Sequence, residues 1–246
     1  MLLSPADIAV FLAGTFAAAF VTSLSGFAFA LIALAVWLYV LTPIQATPLI
    51  AGYVLLAQGY AVWKLRAKLD AARLAPFLIG SVAGVPLGIA ALSVAPSPLL
   101  RMTVGALLVI FSAYSLLRPE LPQVDRGGRP ADAAVGLLNG VIGGATGIAG
   151  IAVVIWSGLR GWPRDEQRAV FQPIAVATFL FIALKLGGAG MVDLDVARLF
   201  LIGLPALALG TWAGWALYGR LDESAFRKVV LALLLVSGIG LLAVGR

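Results

Sequence analysis

The sequence contains no cysteine and no histidine. Without cysteine there can be no disulfide, thiolate metal site or thiol redox couple. Without histidine the usual transition-metal ligand and neutral-pH proton carrier are missing, and no Ser/His/Asp set can form. Charge is also scarce, at 11% of 246 residues, and only eleven residues are acidic. No carboxylate lies in the middle of an apolar run: Asp7, Asp70, Asp132, Asp193 and Asp195 all sit at run ends or in loops. A proton relay or cation path built on an intramembrane carboxylate is therefore not visible. No phosphate loop ending in Gly-Lys-Ser/Thr is present. No enzyme chemistry, cofactor or metal is expected from this pattern.

What fills the chain instead is oil. Hydrophobic residues make up 62% of the sequence, and the mean hydropathy is +1.06. Several apolar runs approach the ~20 residues needed to cross a bilayer. The expectation is an all-α polytopic membrane protein. The first seven residues carry no basic cluster, so a removable signal peptide is not expected. The net charge of +6 does not point to nucleic acid, because the basic residues sit in short loops between apolar runs.

Ten apolar segments are read, at 7–23, 27–41, 48–63, 71–94 and 98–117, then 131–143, 148–159, 168–186, 196–218 and 224–244. Residues 118–130, rich in proline and glycine, read as a linker loop. The two sides of this linker match. Ser25-Gly26 corresponds to Thr146-Gly147, Thr47-Pro48 to Gln172-Pro173, and Asp70-Ala71-Ala72-Arg73 to Asp195-Val196-Ala197-Arg198. Gly84 and Gly88 correspond to Gly210 and Gly214, and Arg101 to Arg227. The landmarks keep their order, which points to a repeat: 1–117 as the first copy, 131–246 as the second. Small residues every fourth position, at Gly80, Gly84 and Gly88, suit close helix packing.

Orientation follows from Lys and Arg. Lys64, Arg66, Lys68 and Arg73 share one loop region, and Arg118, Arg126 and Arg129 the next alternate one. Arg160, Arg164 and Arg168 form a third group, with Arg220, Arg227 and Lys228 a fourth. If the segments alternate, all four groups fall on one side, which makes it cytoplasmic. The 118–130 linker is then cytoplasmic and both termini are external. Five segments per copy is an odd number, so the repeat is inverted. The segments at 131–143 and 148–159 are too short to span at ~1.5 Å per residue, and suit a re-entrant pair or short helices meeting at the midplane. Their counterparts at 7–23 and 27–41 are long enough to span. Most tryptophans are expected near helix ends, as an interfacial belt.

Two breaks interrupt these runs, at 22–26 and at 143–147. Irregular backbone at membrane depth is tolerated only where it is buried in protein or lines a wet cavity. In transporters such breaks hold substrate. A helix restarting after a break presents unpartnered N–H groups and a positive dipole end, which is an anion site needing no charged side chain. Phe27 and Ile148 are expected to begin the restarts, capped by the hydroxyls of Ser25 and Thr146, with Gly26 and Gly147 allowing close backbone approach. Gln58, Asn139 and Gln172 lie inside apolar runs, and Gln172 and its repeat mate Thr47 each precede a proline that disturbs the backbone, so the groups of all four can serve the same anion. The alternative for each residue is interhelical hydrogen bonding, and for the breaks, tight turns between packed helices. The expectation is that the two breaks face each other and share a small anion. Lys185 is expected to snorkel towards the external end.

This pattern resembles the TauE/SafE-type sulfite exporter family, also called the toluene-sulfonate uptake permease family. The resemblance covers nearly the whole chain. It rests on Ser25-Gly26-Phe27-Ala28 followed by Pro43 and Ala46, and on Thr146-Gly147-Ile148-Ala149-Gly150 followed by Pro163 and Ala169. The Gly210/Gly214 helix with Arg227 resembles the family's ending. The resemblance implies a bacterial inner-membrane carrier for sulfite, sulfoacetate or another organosulfonate. The family's richer glycine run is replaced here by Phe27 and Phe29, and by Ile148 and Ala149, and bulkier apolar walls favour an organic anion. The partners expected are the small anion and the lipid bilayer, with a homodimer left open. An inside-negative potential drives an anion outward without a coupling ion, so export is the simpler expectation. An anion channel and a non-transporting assembly protein are the competing readings.

Overall fold

The computed structural model describes residues 4–94, 97–117, 124, 127–146, 150–188 and 193–244. Among these there are ten α-helices, one 3-10 turn and no strand: α1 Pro5–Ser25, α2 Phe29–Trp37, α3 Pro43–Lys64, α4 Ala71–Val94, α5 Ser97–Leu117, α6 Gly128–Thr146, α7 Ile151–Leu159, α8 Arg164–Gly188, α9 Leu194–Tyr218 and α10 Glu223–Val244. By length and composition α1, α9 and the 71–88 stretch of α4 can each cross a membrane.

The carboxylates at run ends cap these helices. Ser4 and Asp7 close a reciprocal box at the start of α1. Asp70 accepts from Ala72 N and Arg73 N, Asp193 from Val196 N, and Asp222 from Ala225 N. The third helix begins five residues before the expected position 48. Thr42 accepts from Gln45 N at 3.4 Å while Gln45 Oε1 accepts from Thr42 N at 3.1 Å, with Pro43 next in line. This box starts the helix, and Pro48 is carried inside it. Likewise α8 starts at Arg164, with Asp165 and Glu166 favourably placed in its first turn and Pro173 inside.

The chain divides into two compact units, each using helices from both sides of the 118–130 linker. One holds 1–64 and 179–221. In it α1 lies along α9, and glycine makes the approach close. A Cβ at Gly210 would meet Phe16 O at 2.4 Å, and at Gly214 would meet Phe20 O at 2.4 Å. α2 folds back along α1, since Trp37 Nε1 donates to Phe11 O at 3.2 Å. Around this hairpin an aromatic core forms: Trp37 packs on Phe11 at 5.2 Å and on Tyr53 at 5.9 Å between ring centres. Tyr53 stacks on Phe200, and its hydroxyl lies within 3.0 Å of Leu199 O and Phe200 O. Trp37 is fully buried and Trp215 nearly so, which removes both from an interfacial belt, while Trp63 and Trp212 are exposed.

The other unit holds 65–178 and 222–246. Here α4 and α6 approach through Gly80, Gly84, Gly136 and Gly140. A Cβ at Gly84 would meet Leu137 O at 2.2 Å, and one at Gly140 would meet Ser81 O at 2.2 Å. Ser81 Oγ donates to Gly136 O across the same seam. α5 and α10 meet at Gly238, and Arg227 donates to Ser115 O near the C-terminal end of α5, where a cation is favoured. α7 folds back along α6, because Trp156 Nε1 donates to the buried carboxylate of Asp132 at 2.8 Å. Two ion pairs, Lys68–Asp165 and Arg73–Glu166, join the 65–73 region to the start of α8. The hydrogen bond that Lys68 Nζ donates to Asp165 holds its ammonium above the usual lysine range.

The lengths correct one expectation. α6 has 19 residues, about 28 Å at 1.5 Å per residue, so it is not a short segment. α2 has nine residues, too few to span, against the fifteen read at 27–41. Both halves therefore pair a long helix with a nine-residue helix that turns back.

Candidate functional site

At the first break α1 ends on Ser25. Gly26 follows in the left-handed region at φ 92°, its N–H bonded to Thr22 O at 2.6 Å, a glycine C-terminal cap. Ala28 also lies at positive φ, 78°, and is the only described non-glycine residue to do so. α2 then starts at Phe29, two residues later than Phe27. Ala28 occupies its N-cap without any side-chain hydrogen bond. The expected hydroxyl cap is thus corrected. Ser25 Oγ lies 2.8 Å from Val21 O and 3.0 Å from Phe27 O, so its proton is committed to carbonyls at the end of α1. Phe27 is buried beside it.

Gln58 reaches this break from α3. Its Nε2 donates to Gly26 O at 2.6 Å, both groups being buried. A buried carbonyl left without a donor costs about 1–3 kcal/mol, so Gln58 holds the break in its reversed conformation. Ser25, Gly26, Phe27 and Gln58 are therefore one cluster. One turn back along α1, Thr22 Oγ1 is buried with no hydrogen-bond partner. Thr47 does not join them. It is exposed, eleven residues before Gln58 and about 16 Å away along α3.

At the second break α6 ends on Thr146. Gly147, Ile148 and the Thr146 side chain lie outside the described residues. The restart falls at Ile151, three residues after Ile148, with Gly150 as N-cap at φ 101°. Gly150 N donates to Asn139 Oδ1 at 2.8 Å. Asn139 is 1% exposed, and its Nδ2 is buried without a partner. Val154 N closes the first turn of α7 on Gly150 O, and Ile151, Ala152 and Val153 are buried. The first N–H groups of such a turn have no acceptor within the helix.

Gln172 is also buried in this second unit, on α8, and Arg168 precedes it by one turn. Arg168 is 0% exposed. Its place among Arg160 and Arg164 reads as a loop charge that sets orientation, whereas it lies inside α8 and is buried. A guanidinium enclosed by protein costs several kcal/mol to desolvate, so it is held by its surroundings rather than by water. In sequence the only signal was its position four residues before Gln172, on the same helical face.

The chemistry of both breaks is that of hydrogen-bond donors at uncapped helix starts, with no described carboxylate bonded to either. Such groups stabilise negative charge. The first break and Gln58 belong to one unit, and the second break with Asn139 to the other.

A family described as Sulfite exporter TauE/SafE matches the chain over residues 10–241. No curated protein and no solved structure matches it.

Proposed function

The chain belongs to the TauE/SafE sulfite exporter family, and on that premise we propose that it is a secondary transporter carrying a small sulfur-containing or organic anion outward across a bacterial inner membrane. The family is one of multi-pass membrane transporters, and the helices long and apolar enough to span agree with that class. The observation that carries the reading is the family match over nearly the whole chain. The uncapped starts of α2 and α7, with no described carboxylate bonded to either, support an anionic cargo.

An inverted repeat as the moving framework is supported by matched contacts within the two units. Gly210 on α9 lies against Phe16 O and Phe20 N, and Gly84 on α4 lies against Leu137 O and Val141 N. These are the same contact, with the partners exchanged between the halves. α2 and α7 are both nine residues long and begin 122 positions apart. The odd number of segments per half and the one-sided basic residues support opposite orientations, with both termini external. The inside-negative potential supports export, since it drives an anion out with about 2.3 kcal/mol per charge per 100 mV.

The test is flux in proteoliposomes with an imposed potential, following labelled sulfite, sulfoacetate and taurine. Saturable movement of sulfite or a sulfonate, faster towards the positive side, is expected. Flux of all three equal to protein-free liposomes would sink the proposal.

A further inference from the structure

We propose that the two breaks are chemically unequal, and that the anion docks at the second, on the amide of Asn139 and the start of α7. This rests on the transporter reading above and narrows it to one half of the molecule.

Hydrogen-bond chemistry dictates which way each amide faces. A backbone N–H can only donate, so the atom of Asn139 lying 2.8 Å from Gly150 N must be the carbonyl oxygen. The NH2 of Asn139 then lies on the other arm of the same planar amide, beside the N-cap of α7. It is buried and has no partner. A backbone carbonyl can only accept, so the atom of Gln58 at 2.6 Å from Gly26 O must be the NH2. What remains at Gln58 is an oxygen, which repels an anion. The same type of side-chain amide is thus set in opposite senses by what it holds: an N–H at one break, a C=O at the other.

Only the second break therefore combines an uncapped helix start with a spare amide donor. The N–H groups of Ile151 and Ala152 lie in the first turn of α7, within buried residues. An orphaned buried donor carries a desolvation cost until something accepts from it. An oxyanion with several oxygens on one centre, such as a sulfonate or sulfite, can accept from Asn139 Nδ2 and from the helix start together. Among the described residues the spare groups there are donors, which do not hold a cation. At the first break the α2 start is faced by Phe27 and Phe29, both buried, with Phe29 packed on Trp37 and Tyr53. The Thr22 hydroxyl, buried without a partner, stands back on α1, one turn before this break. That break is a pinned bend.

Two measurements test this, with ethanesulfonate as the probe because its charge is fixed. The first uses the unaltered protein. Amide hydrogen exchange at residues 150–153 is expected to slow severalfold on adding ethanesulfonate, while residues 26–30 are unchanged. No slowing at 150–153, or equal slowing at both breaks, overturns the assignment. The second is Asn139→Asp, which keeps the acceptor for Gly150 N and replaces the NH2 by a carboxyl oxygen. Inhibition of sulfoacetate flux by ethanesulfonate is expected to be pH-independent in the parent protein, since both anions keep their charge between about pH 5.5 and 8.5. In Asn139→Asp it should be near normal at about pH 5.5, where a buried carboxyl is protonated and donates, and at least ~10-fold weaker at about pH 8.5. A pH-independent and unchanged inhibition constant would refute the role of Asn139. If Asn139→Asp fails to fold, the exchange measurement decides alone. If the parent liposomes carry no anion at all, the transporter reading itself falls; normal flux with indifferent exchange at 150–153 sinks only the choice of break.

Discussion

Replace Gly84 with alanine, and the new methyl arrives 2.2 Å from Leu137 O, about 1.2 Å short of the 3.4 Å at which ordinary contact begins. It also meets Val141 N at 2.9 Å and Gly140 Cα at 3.0 Å. All three are backbone atoms of α6, so no rotamer change relieves the clash. The helices must separate by roughly 1 Å, and a gap of that size forfeits a quarter to a half of the dispersion energy of each contact along the seam. Overpacking costs about 1–3 kcal/mol, and a clash with backbone belongs at the upper end. For a chain of this length ~3 kcal/mol corresponds to a melting temperature lower by about 6–12 °C. The control is Gly59→Ala on α3, where nothing lies within 4 Å of the new Cβ. There the same change should raise stability by about 0.5–1 kcal/mol, because glycine costs that much in a helix interior. The assay is thermal unfolding of purified protein in one detergent. The pair Gly80→Ala with Gly84→Ala should cost less than the sum of the two, since separation for one clash relieves the other. If Gly84→Ala and Gly59→Ala shift the melting temperature in the same direction, the close α4–α6 seam is wrong.

Gln58→Met should lower stability by about 1–3 kcal/mol by orphaning Gly26 O, seen in the same melting assay, and a neutral result would mean that Gln58 does not pin the first break. Ala28→Gly should leave stability unchanged or raise it by up to ~1 kcal/mol, because Ala28 stands at φ 78°, whereas Gly150→Ala at φ 101° should lower it by about 1–2 kcal/mol; both are read by melting temperature, and a loss in Ala28→Gly or a gain in Gly150→Ala would refute the backbone assignment. For Lys68, the folded state holds the ammonium above its ordinary range, so the pair with Asp165 contributes fully below that range and fades as pH rises through the raised value. Melting temperatures from about pH 9 to 12 should therefore fall less steeply in Lys68→Met than in the parent, and the difference should shrink in high salt.

How far the sequence carried depended on where each signal was local. The breaks themselves were legible, because clustered hydroxyls and glycines inside an oily run weaken the helix where they stand. So was the all-helical class. Helix starts were less so. Phe27 and Ile148 looked like restarts because they resume the apolar run, but the chain needs further left-handed residues, Ala28 and Gly150, to complete each reversal. Alanine does not advertise that conformation. Pro48 looked like a start and is carried inside a helix whose true start is set by Thr42 with Gln45, and α8 begins at Arg164, four residues before the expected 168. Gln58 and Asn139 were picked out as buried polar groups, yet the direction of each amide depends on a partner 32 and 11 residues away. Arg168 was hidden by its neighbours: among three basic residues it read as an orientation signal, and only burial distinguishes it. Thr47 was misplaced for the opposite reason, since a repeat match carries position but not exposure.

The seam between α1 and α9 also sets a schedule. Gly214 lies against Phe20 O, so a surface made near the beginning of synthesis is completed by a residue 194 positions later. At about 5–20 residues per second, α1 waits roughly 10–40 s for its partner. During that interval its side chains meet lipid, other nascent helices or an insertion chaperone. A ribosome stalled before α9 is made leaves the first hairpin formed but uncovered. Of all the helix pairs in this unit, it is the one that quality control has longest to inspect.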